Sequence, residues 1–304
     1  MKIAVIGAGA MGSLYGGYLS TVAEEVYLID VWQQHVDAIN KNGLSIQEED
    51  KEVVVYPKAA SSAEEVGYVD LALVFVKSTI TGSALEKNKA ILGPNTIVLS
   101  LQNGYGNVEQ MAEYVNTNNI IAGTTAHGST MLASGHIKHA GKGETHIGWV
   151  QNKEDRRIDA ISDILSRAGF ETIVSDNVME LIWSKLIINV GINALTAILN
   201  LKNGDLLIYD ETKKLMRMAI LEAVKTAKAS GIDFDEEKMV SKVMDIAFTT
   251  GENKSSMLQD VLNKRKTEID TINGAIVKVG VKHSVETPVN VVLTNLVKTL
   301  EKIK

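Results

Sequence analysis

Short hydrophobic runs rich in β-branched residues alternate with stretches of helical periodicity through the first half of the chain. Runs of this kind are typical of strands buried on both faces of a parallel sheet. The predicted strands are 2–6, 26–30, 71–76, 96–101, 120–123, 145–150 and 170–174, with a helix at 155–168 before the last strand, which we expect to return to the same sheet. The pattern therefore predicts an α/β fold with a doubly wound parallel sheet.

The second half changes to helical periodicity. From residue 177 onward it predicts helices at 178–200, 205–231, 235–248 and 256–281, and a terminal helix after Pro288. We therefore expect an all-helical C-terminal domain that begins near Asp176, which divides the chain into domains 1–175 and 176–304.

The most apolar of these segments, 186–201, is interrupted by polar residues at 189, 193, 196 and 200. A membrane span needs about 20 predominantly apolar residues, so we interpret this segment as a buried helix.

Composition narrows the class of protein. The chain has 304 residues, 45% of them hydrophobic, and a net charge of −6. It contains no Lys/Arg-rich stretch, so we expect neither nucleic acid nor an anionic membrane surface as a partner. Cysteine is absent, which excludes disulfides and thiolate nucleophiles. The chain starts on strand-like sequence instead of a signal-peptide pattern, and we expect a cytoplasmic protein.

A glycine-rich turn follows the first predicted strand. Its residues are Gly7, Ala8, Gly9, Ala10, Met11 and Gly12, and a helical stretch follows. In this G-x-G-x-x-G pattern the glycines allow a tight turn, a close approach to a pyrophosphate and close packing of helix on strand. Asp30 ends the second strand, where a carboxylate can accept hydrogen bonds from ribose hydroxyls. The sequence predicts a Rossmann-type dinucleotide site.

Further polar residues follow other strands of the predicted sheet. Lys77 comes after 71–76, Asn103 after 96–101, and the polar stretch 124–129, which includes Ser129, after 120–123. Ligands of open α/β sheets collect outside the carboxyl ends of the strands, so we expect Lys77, Asn103 and Ser129 to contact the cofactor. A solvated surface lysine at 77 and a simple turn at Asn103 are the alternatives.

The proton donor is expected to be a lysine. None of the six histidines falls between 176 and 282, which argues against a histidine acid in the helical domain. Lys185, Asn189 and Asn193 are spaced by four, so one stripe of an apolar helix presents an ammonium and two amides. Partial burial lowers the pKa of a lysine towards neutrality, which suits a general acid. Buried helix–helix hydrogen bonds are the alternative role of the asparagines.

Two other patterns carry less weight. Tyr209 and Lys213 have the spacing of a Tyr-x-x-x-Lys pair, but they lie in the helical half, and we interpret the match as accidental. The histidines at 136, 139 and 146 lack metal-ligand spacing, so we expect no metal.

A polar group starts the fourth helical segment. Ser256 and Gln259 have capping-box spacing, so a helix start and its hydroxyls are expected to receive a substrate carboxylate. Glu268 is a hydrogen-bond acceptor for a substrate hydroxyl or a cofactor ribose. The alternative for Glu268 is an ion pair with Lys264, one helical turn earlier.

Together these motifs resemble the ketopantoate reductase (2-dehydropantoate 2-reductase) family over essentially the whole chain. The matching motifs are GAGAMG at 7–12, Lys77, QNG at 102–104, G-x-G-x-THIG at 141–148, W-x-K at 183–185 with Asn189 and Asn193, SSMLQD at 255–260, and TEID-x-ING at 267–274.

The resemblance implies an enzyme that reduces 2-dehydropantoate to (R)-pantoate with NADPH, for pantothenate and coenzyme A synthesis. It implies Lys185 as the catalytic acid, Glu268 as a bridge between substrate and cofactor, and Lys77 at the nicotinamide half. The substrate contacts that it implies are Asn103, Asn189, Asn193, Asn203 and Ser256.

One position departs from the family pattern. Such reductases usually carry a basic residue after the second strand to meet the 2′-phosphate of NADP, whereas this chain has Asp30, Val31 and Trp32. Asp30 favours NAD(H), as in related NAD-dependent D-2-hydroxyacid dehydrogenases that act on other 2-keto or 2-hydroxy acids, while the pair Ser255 and Ser256 and Asn203 favour ketopantoate. A noncatalytic dinucleotide sensor is the alternative of another class, and the lysine–asparagine stripe speaks against it. We also expect a homodimer.

Overall fold

The computed structural model describes residues 1–151 and 154–303, which form two compact units. Unit 1 contains Met1–Gln102 and Asn107–Leu181, and unit 2 contains Asn103–Gly106 and the chain from Ile182 onward. Because compactness alone does not define a domain, the domain limits 1–175 and 176–304 stay a prediction.

Unit 1 contains an eight-stranded sheet and a four-stranded sheet. Its strands are β1 Lys2–Ile6, β2 Glu25–Ile29, β3 Leu44–Gln47, β4 Glu52–Val55, β5 Lys58–Ala60, β6 Leu71–Val74, β7 Ile97–Ser100, β8 Ile120–Thr125, β9 Gly128–Ala133, β10 His136–Gly141, β11 Thr145–Trp149 and β12 Thr172–Val174. Its complete helices are α1 Ala10–Leu19, α2 Gln33–Asn42, α3 Thr81–Lys87, α4 Asn107–Ala112 and α5 Arg157–Arg167.

The larger sheet has the order β12-β11-β8-β7-β6-β1-β2-β5. Every pair from β8 to β5 is parallel, whereas β11 runs antiparallel to β8, and β12 pairs in parallel with β11. The prediction of an α/β fold with a mainly parallel sheet is confirmed, including the return of the last strand to this sheet. The reversal at β11 was not anticipated.

Strand β1 lies inside this sheet, between β6 and β2, and is buried on both faces. Ile3 and Val5 pack into one hydrophobic cluster, which includes Leu14 of α1, while Ala4 and Ile6 pack into a second cluster on the other face. Burial of each large aliphatic side chain contributes about 1.5–3 kcal/mol. This two-sided burial explains why the strand reads as a continuous apolar run.

The four-stranded sheet, with order β4-β3-β10-β9, was not predicted. Its inward residues, Leu44, Ile46 and Ile137, are completely buried in the same cluster as Ile3. The polar stretch 124–129 is therefore not a strand-end loop, because β8 continues to Thr125 and Ser129 lies in β9.

Unit 2 is helical, as predicted. Helix α6, Val178–Leu199, begins in unit 1 and continues into unit 2, where α7 Asp210–Ala229, α8 Glu236–Thr249, α9 Ser256–Leu262, α10 Asn273–His283 and α11 Pro288–Leu300 follow. Within the described ranges, α6 is the one helix long and apolar enough to span a membrane, and 67% of its most apolar window is buried. This burial agrees with our interpretation of the segment as a core helix.

The prediction of one helix over 256–281 is wrong. Helix α9 ends at Leu262, Lys264 adopts a left-handed φ of 54°, and α10 begins at Asn273 after a 3₁₀ turn at Ile269–Thr271. A non-glycine residue with a left-handed backbone cannot continue an α-helix. Apolar spacing across the break imitated a longer helix.

Candidate functional site

The glycine turn after β1 leaves room for a ligand on one side and packs tightly on the other. Gly7 has a φ of +93°, and a Cβ there would lie 2.7 Å from Val76 Cγ1. A Cβ on Gly12 would collide with the carbonyl oxygen of Gly7, whereas a Cβ on Gly9 would meet no atom of the described residues within 4 Å. Open space at the second glycine and crowding at the third match the requirements of a pyrophosphate cradle.

Asp30 follows β2 directly. Its backbone N–H donates to the carbonyl oxygen of Ala60 at 3.1 Å, and its Oδ1 accepts the backbone N–H of Trp32 at 2.9 Å. The carboxylate is thus fixed at the strand end, where a ribose of the dinucleotide is expected. Val31, which takes the next position, is 86% exposed and brings no charge.

Gln102 joins the ends of two neighbouring strands of the larger sheet. Its Nε2 donates to the carbonyl oxygen of Val76 at 2.6 Å and to Thr81 Oγ1 at 2.9 Å, while Ser100 Oγ donates to its Oε1 at 2.8 Å. Lys77 lies beside this junction and starts the 3₁₀ turn at Ser78–Ile80. In the sequence Gln102 stood out only as part of a motif, and its role as a link between strand ends was missed.

Of the two other residues expected at that sheet edge, Ser129 lies elsewhere, whereas Asn103 directly follows Gln102. Asn103 is grouped with unit 2, in a segment where the Tyr105 N–H donates to the Thr271 carbonyl oxygen at 2.8 Å. Ser129 lies within β9 and donates its hydroxyl to the Lys138 carbonyl oxygen at 3.2 Å. The cofactor contacts of Asn103 and Ser129 stay predictions.

Lys185 lies on α6 and is partly buried, while its sequence neighbours Trp183, Leu186 and Ile187 are fully buried. Burial lowers the pKa of Lys185 to about 8, and the opposing influence of the Glu268 carboxylate keeps it from falling further. A lysine in this range can hold and release a proton near neutral pH. The structure therefore brings together the two residues that were predicted from the sequence to be catalytic.

The rest of the α6 stripe is polar and largely enclosed. Asn189 is partly buried and Asn193 is buried. Thr196, three residues beyond Asn193 on the same helical face, is completely buried, and its hydroxyl bonds to the carbonyl oxygens of its own helix.

Ser255, not Ser256, caps α9. Ser255 Oγ accepts the N–H of Leu258 at 3.1 Å and lies 2.7 Å from Thr196 Oγ1, which donates to the carbonyl oxygens of Ile192 and Asn193. The predicted capping box of Ser256 and Gln259 is therefore wrong, because the helix cap lies one residue earlier than that pairing requires. Ser256 occupies the first helical position and is exposed.

Asn203 is buried at the start of the turn before α7. Its Nδ2 donates to Thr250 Oγ1 at 2.9 Å, whereas its buried Oδ1 has no hydrogen-bond partner in the part of the chain that the structure describes. A buried acceptor without a donor is costly. This atom is therefore a candidate acceptor for a ligand hydroxyl.

The structure also bears on the alternative interpretations. Lys264 and Glu268 do not share a helix, since α9 ends at Leu262, so the helical spacing proposed for their ion pair does not exist. Lys213 pairs with Asp210 at 2.7 Å, in the first turn of α7, which agrees with an accidental match for Tyr209 and Lys213. No cluster of three or more metal-ligating side chains occurs among residues 1–151 and 154–303.

A glycine cradle after β1 and a carboxylate after β2 in unit 1, and a partly buried lysine near a glutamate in unit 2, are features of oxidoreductases that use a nicotinamide dinucleotide. Family models agree with this class: the model described as ketopantoate reductase PanE/ApbA matches residues 3–152, and that of its C-terminal region matches residues 177–301. The chain belongs to the ketopantoate reductase family.

Individual relatives extend over the full length. Proteins named 2-dehydropantoate 2-reductase from Pyrococcus horikoshii and Halobacterium salinarum are 37% and 34% identical, over 100% and 99% of this chain and 98% and 99% of their own.

Two solved structures are also closely similar. D-mandelate dehydrogenase with NADH and anilino(oxo)acetate has a TM-score of 0.93 and 32% identity, and a PanE/ApbA family ketopantoate reductase from Ralstonia eutropha has a TM-score of 0.91 and 34% identity. Each match covers 100% of this chain and 99% of the other.

Proposed function

We propose that the protein reduces the 2-keto group of 2-dehydropantoate to (R)-pantoate with a reduced nicotinamide dinucleotide, for pantothenate and coenzyme A synthesis in the cytoplasm. The single observation that carries the proposal is the state of Lys185. Burial lowers the pKa of this lysine to about 8, near the Glu268 carboxylate. A noncatalytic dinucleotide sensor would need the glycine loop but no such proton donor.

Lys185 acts as the general acid. A bound reduced nicotinamide would supply the hydride for the carbonyl carbon, and the carbonyl oxygen would then need a proton. The Lys185 ammonium donates its proton to that oxygen from Nζ, and it is reprotonated by solvent after turnover. A positioned acid of this kind typically contributes about 10²–10⁴-fold in rate. Glu268 favours the charged ammonium before transfer and accepts a hydroxyl of the substrate.

Amides and a hydroxyl of unit 2 position the substrate. The unpartnered Oδ1 of Asn203 supports a contact with a substrate hydroxyl, because a bound donor would satisfy this buried acceptor. Asn189 and Asn193 follow Lys185 on the α6 stripe, and Ser256 presents an exposed hydroxyl at the start of α9. Asn103, in the segment grouped with unit 2, completes the proposed set.

The cofactor proposal is NADH in preference to NADPH. A carboxylate at Asp30 accepts both ribose hydroxyls of NADH but repels the 2′-phosphate of NADPH. At about 4 Å and an effective dielectric constant of about 20, two like unit charges repel by about 4 kcal/mol, before screening by salt. The similar D-mandelate dehydrogenase structure, which contains NADH, supports this preference.

The same observations favour a second candidate function, an NAD-dependent D-2-hydroxyacid dehydrogenase that acts on other 2-keto acids. Asp30 and the similarity to D-mandelate dehydrogenase support it. Asn203 and the names of the full-length relatives support the ketopantoate reaction.

A substrate panel separates the two candidates. Purified protein is mixed with NADH or NADPH and either 2-dehydropantoate, pyruvate or an aryl 2-keto acid, and kcat/KM is measured from the loss of absorbance of the reduced cofactor. We expect 2-dehydropantoate to give the highest kcat/KM. A higher value for the aryl acid would establish the second candidate, and no turnover with any keto acid would refute both. We also propose a homodimer, to be tested by sedimentation equilibrium.

A further inference from the structure

His35 is a completely buried histidine in the first turn of α2, and both of its ring nitrogens have partners. The backbone N–H of Gly135 donates to Nδ1 at 2.9 Å, and Nε2 lies 3.0 Å from Ser13 Oγ. An N–H can only donate, so Nδ1 must be the unprotonated nitrogen. The proton of the neutral ring is therefore on Nε2 and points towards Ser13.

Ser13 passes this interaction on to the glycine turn. Its hydroxyl receives the Nε2 proton of His35 in a hydrogen bond and donates its own hydrogen to the carbonyl oxygen of Ala8 at 2.8 Å. The resulting chain of hydrogen bonds runs in one direction, from Gly135 through His35 and Ser13 to Ala8. Ala8 is the second residue of the turn that is expected to receive the pyrophosphate, so His35 fixes that turn through Ser13 of α1.

The same imidazole also contacts Trp32, the residue whose backbone holds the Asp30 carboxylate. The Trp32 indole stacks on the His35 ring, with 5.2 Å between centroids and 10° between planes. The backbone N–H of Trp32 in turn holds Asp30 through Oδ1 at 2.9 Å. One side chain thus contacts the supports of both the phosphate turn and the ribose carboxylate.

His35 also stays neutral in this position. A protonated ring would carry a hydrogen on Nδ1, directly opposite the Gly135 N–H. Burial lowers the pKa of His35, and this effect exceeds the opposing effects of the Asp30 carboxylate and of hydrogen bonding to the Ala8 backbone. A positive charge near Asp30 would offset its repulsion of a 2′-phosphate, and the neutral His35 does not supply that charge.

We propose that His35 is a positioning residue of the dinucleotide site, which holds the glycine turn through Ser13 and Asp30 through Trp32. The inference rests on the proposed nicotinamide-dependent function and extends it to a residue outside the glycine turn and Asp30. His35 touches neither the cofactor nor the substrate in this scheme. Its effect passes through Ser13 and Trp32.

Calorimetric titration of the full chain with NADH tests the proposal in a double-mutant cycle. The variants are His35→Ala, Ser13→Ala and the double variant. The matched control is His283→Ala, which replaces an exposed histidine at the end of α10. We expect His35→Ala to raise the Kd for NADH about tenfold, because a buried donor and acceptor lose their partner. The double variant should bind NADH no worse than His35→Ala, since both changes remove one shared hydrogen bond. His283→Ala should bind NADH like the unmodified chain.

A conservative variant and kinetics separate positioning from general loss of structure. His35→Asn keeps an acceptor near Nδ1 for Gly135, so we expect it to recover part of the lost affinity. In steady state, KM for NADH should rise while kcat and KM for the keto acid stay within about twofold, whereas partial unfolding would lower kcat instead.

The proposal would be overturned if His35→Ala bound NADH with a Kd within twofold of that of the unmodified chain. Additive effects of the two substitutions on this Kd would also overturn it. If His35→Ala does not fold, Ser13→Ala and His35→Asn are judged by the same affinity criterion. Failure of the proposed function is a separate result: the unmodified chain would bind NADH but turn over no keto acid.

Discussion

Lys185 is the residue on which the chemistry depends most directly. Lys185→Ala removes the proposed proton donor without touching the glycine turn, so we expect kcat to fall about 10²–10⁴-fold while the Kd for NADH changes little. Steady-state assays with calorimetry of NADH binding measure both. Lys213→Ala, which removes a lysine paired with Asp210 on α7, is the control and should keep normal turnover. Near-normal turnover in Lys185→Ala would remove Lys185 from the mechanism.

The lowered pKa of Lys185 predicts a pH dependence with a definite sign. Reduction needs the ammonium, so kcat/KM for the keto acid should decline as pH rises through about 8, and alcohol oxidation, which needs the neutral amine, should rise through the same range. Because Glu268 raises the pKa of Lys185, Glu268→Gln should shift both limbs to lower pH. Profiles of both directions in unmodified and variant protein check this. Unshifted limbs would show that Glu268 does not act on Lys185.

Asp30 predicts which dinucleotide is used. Asp30→Ala should narrow the preference for NADH mainly by improving NADPH, since it removes the repulsion of the 2′-phosphate. Asp30→Asn combined with Val31→Arg should reverse the preference. The measurement is kcat/KM for both reduced cofactors at saturating keto acid. A tenfold preference of the unmodified protein for NADPH would contradict this role of Asp30.

At the scale of elements, the hydroxyl pair of Thr196 and Ser255 connects α6 with the start of α9. Thr196→Val keeps the shape of the side chain but leaves the Ser255 hydroxyl without its acceptor, and we expect a loss of about 1–3 kcal/mol in unfolding free energy with a higher KM for the keto acid. Urea unfolding and steady-state kinetics measure the two effects. Thr226→Val, another buried threonine that bonds to its own helix, is the control and should leave KM unchanged.

Sequence patterns predicted the bounds of an element well where a continuous stretch of hydrophobic positions reports its own burial. The interior strand β1 matches its predicted bounds, and α6 differs by one residue, because an apolar run or a full helical face reflects the burial of each position. The four-stranded sheet was missed because β3 and β10 are short and pair over a large separation in sequence, Ser45 with His136. No local period encodes such a partner.

Site residues could likewise be predicted only where the local sequence marks them. Lys185 and Glu268 could be named because their residue types are unusual in an apolar helix or follow a recognisable motif. His35 could not, since a histidine in a polar-looking helix start gives no sign that it is completely buried. Ser255 and Ser256 both suit a helix start, and only the backbone decides that Ser255 is the cap.

At the scale of the whole molecule, residues 103–106 connect parts of unit 1 but pack in unit 2. Gly104 has a φ of +86°, and a Cβ there would lie 2.6 Å from the Thr271 carbonyl oxygen. Gly104→Ala should therefore lower the unfolding free energy by about 1–3 kcal/mol through strain and overpacking, as measured by urea unfolding.

Gly106→Ala is the matched control for this change. Gly106 has a similar φ of +100°, but a Cβ there would meet no described atom within 4 Å. It should show only the smaller conformational penalty, about 1 kcal/mol. Equal losses in the two variants would mean that the Thr271 contact does not matter.

The placement of residues 103–106 has a consequence for anyone who would divide this protein. A fragment that begins at Ile182 contains every helix from α7 to α11 but lacks Tyr105. The centroid of the Tyr105 ring lies 4.9 Å from that of the buried Trp183 indole, and the Tyr105 N–H donates to the Thr271 carbonyl oxygen. Such a fragment would expose a large aromatic surface and prefer to aggregate. We therefore expect recombination with a relative at residue 182 to need exchange of the short segment 103–106 as well.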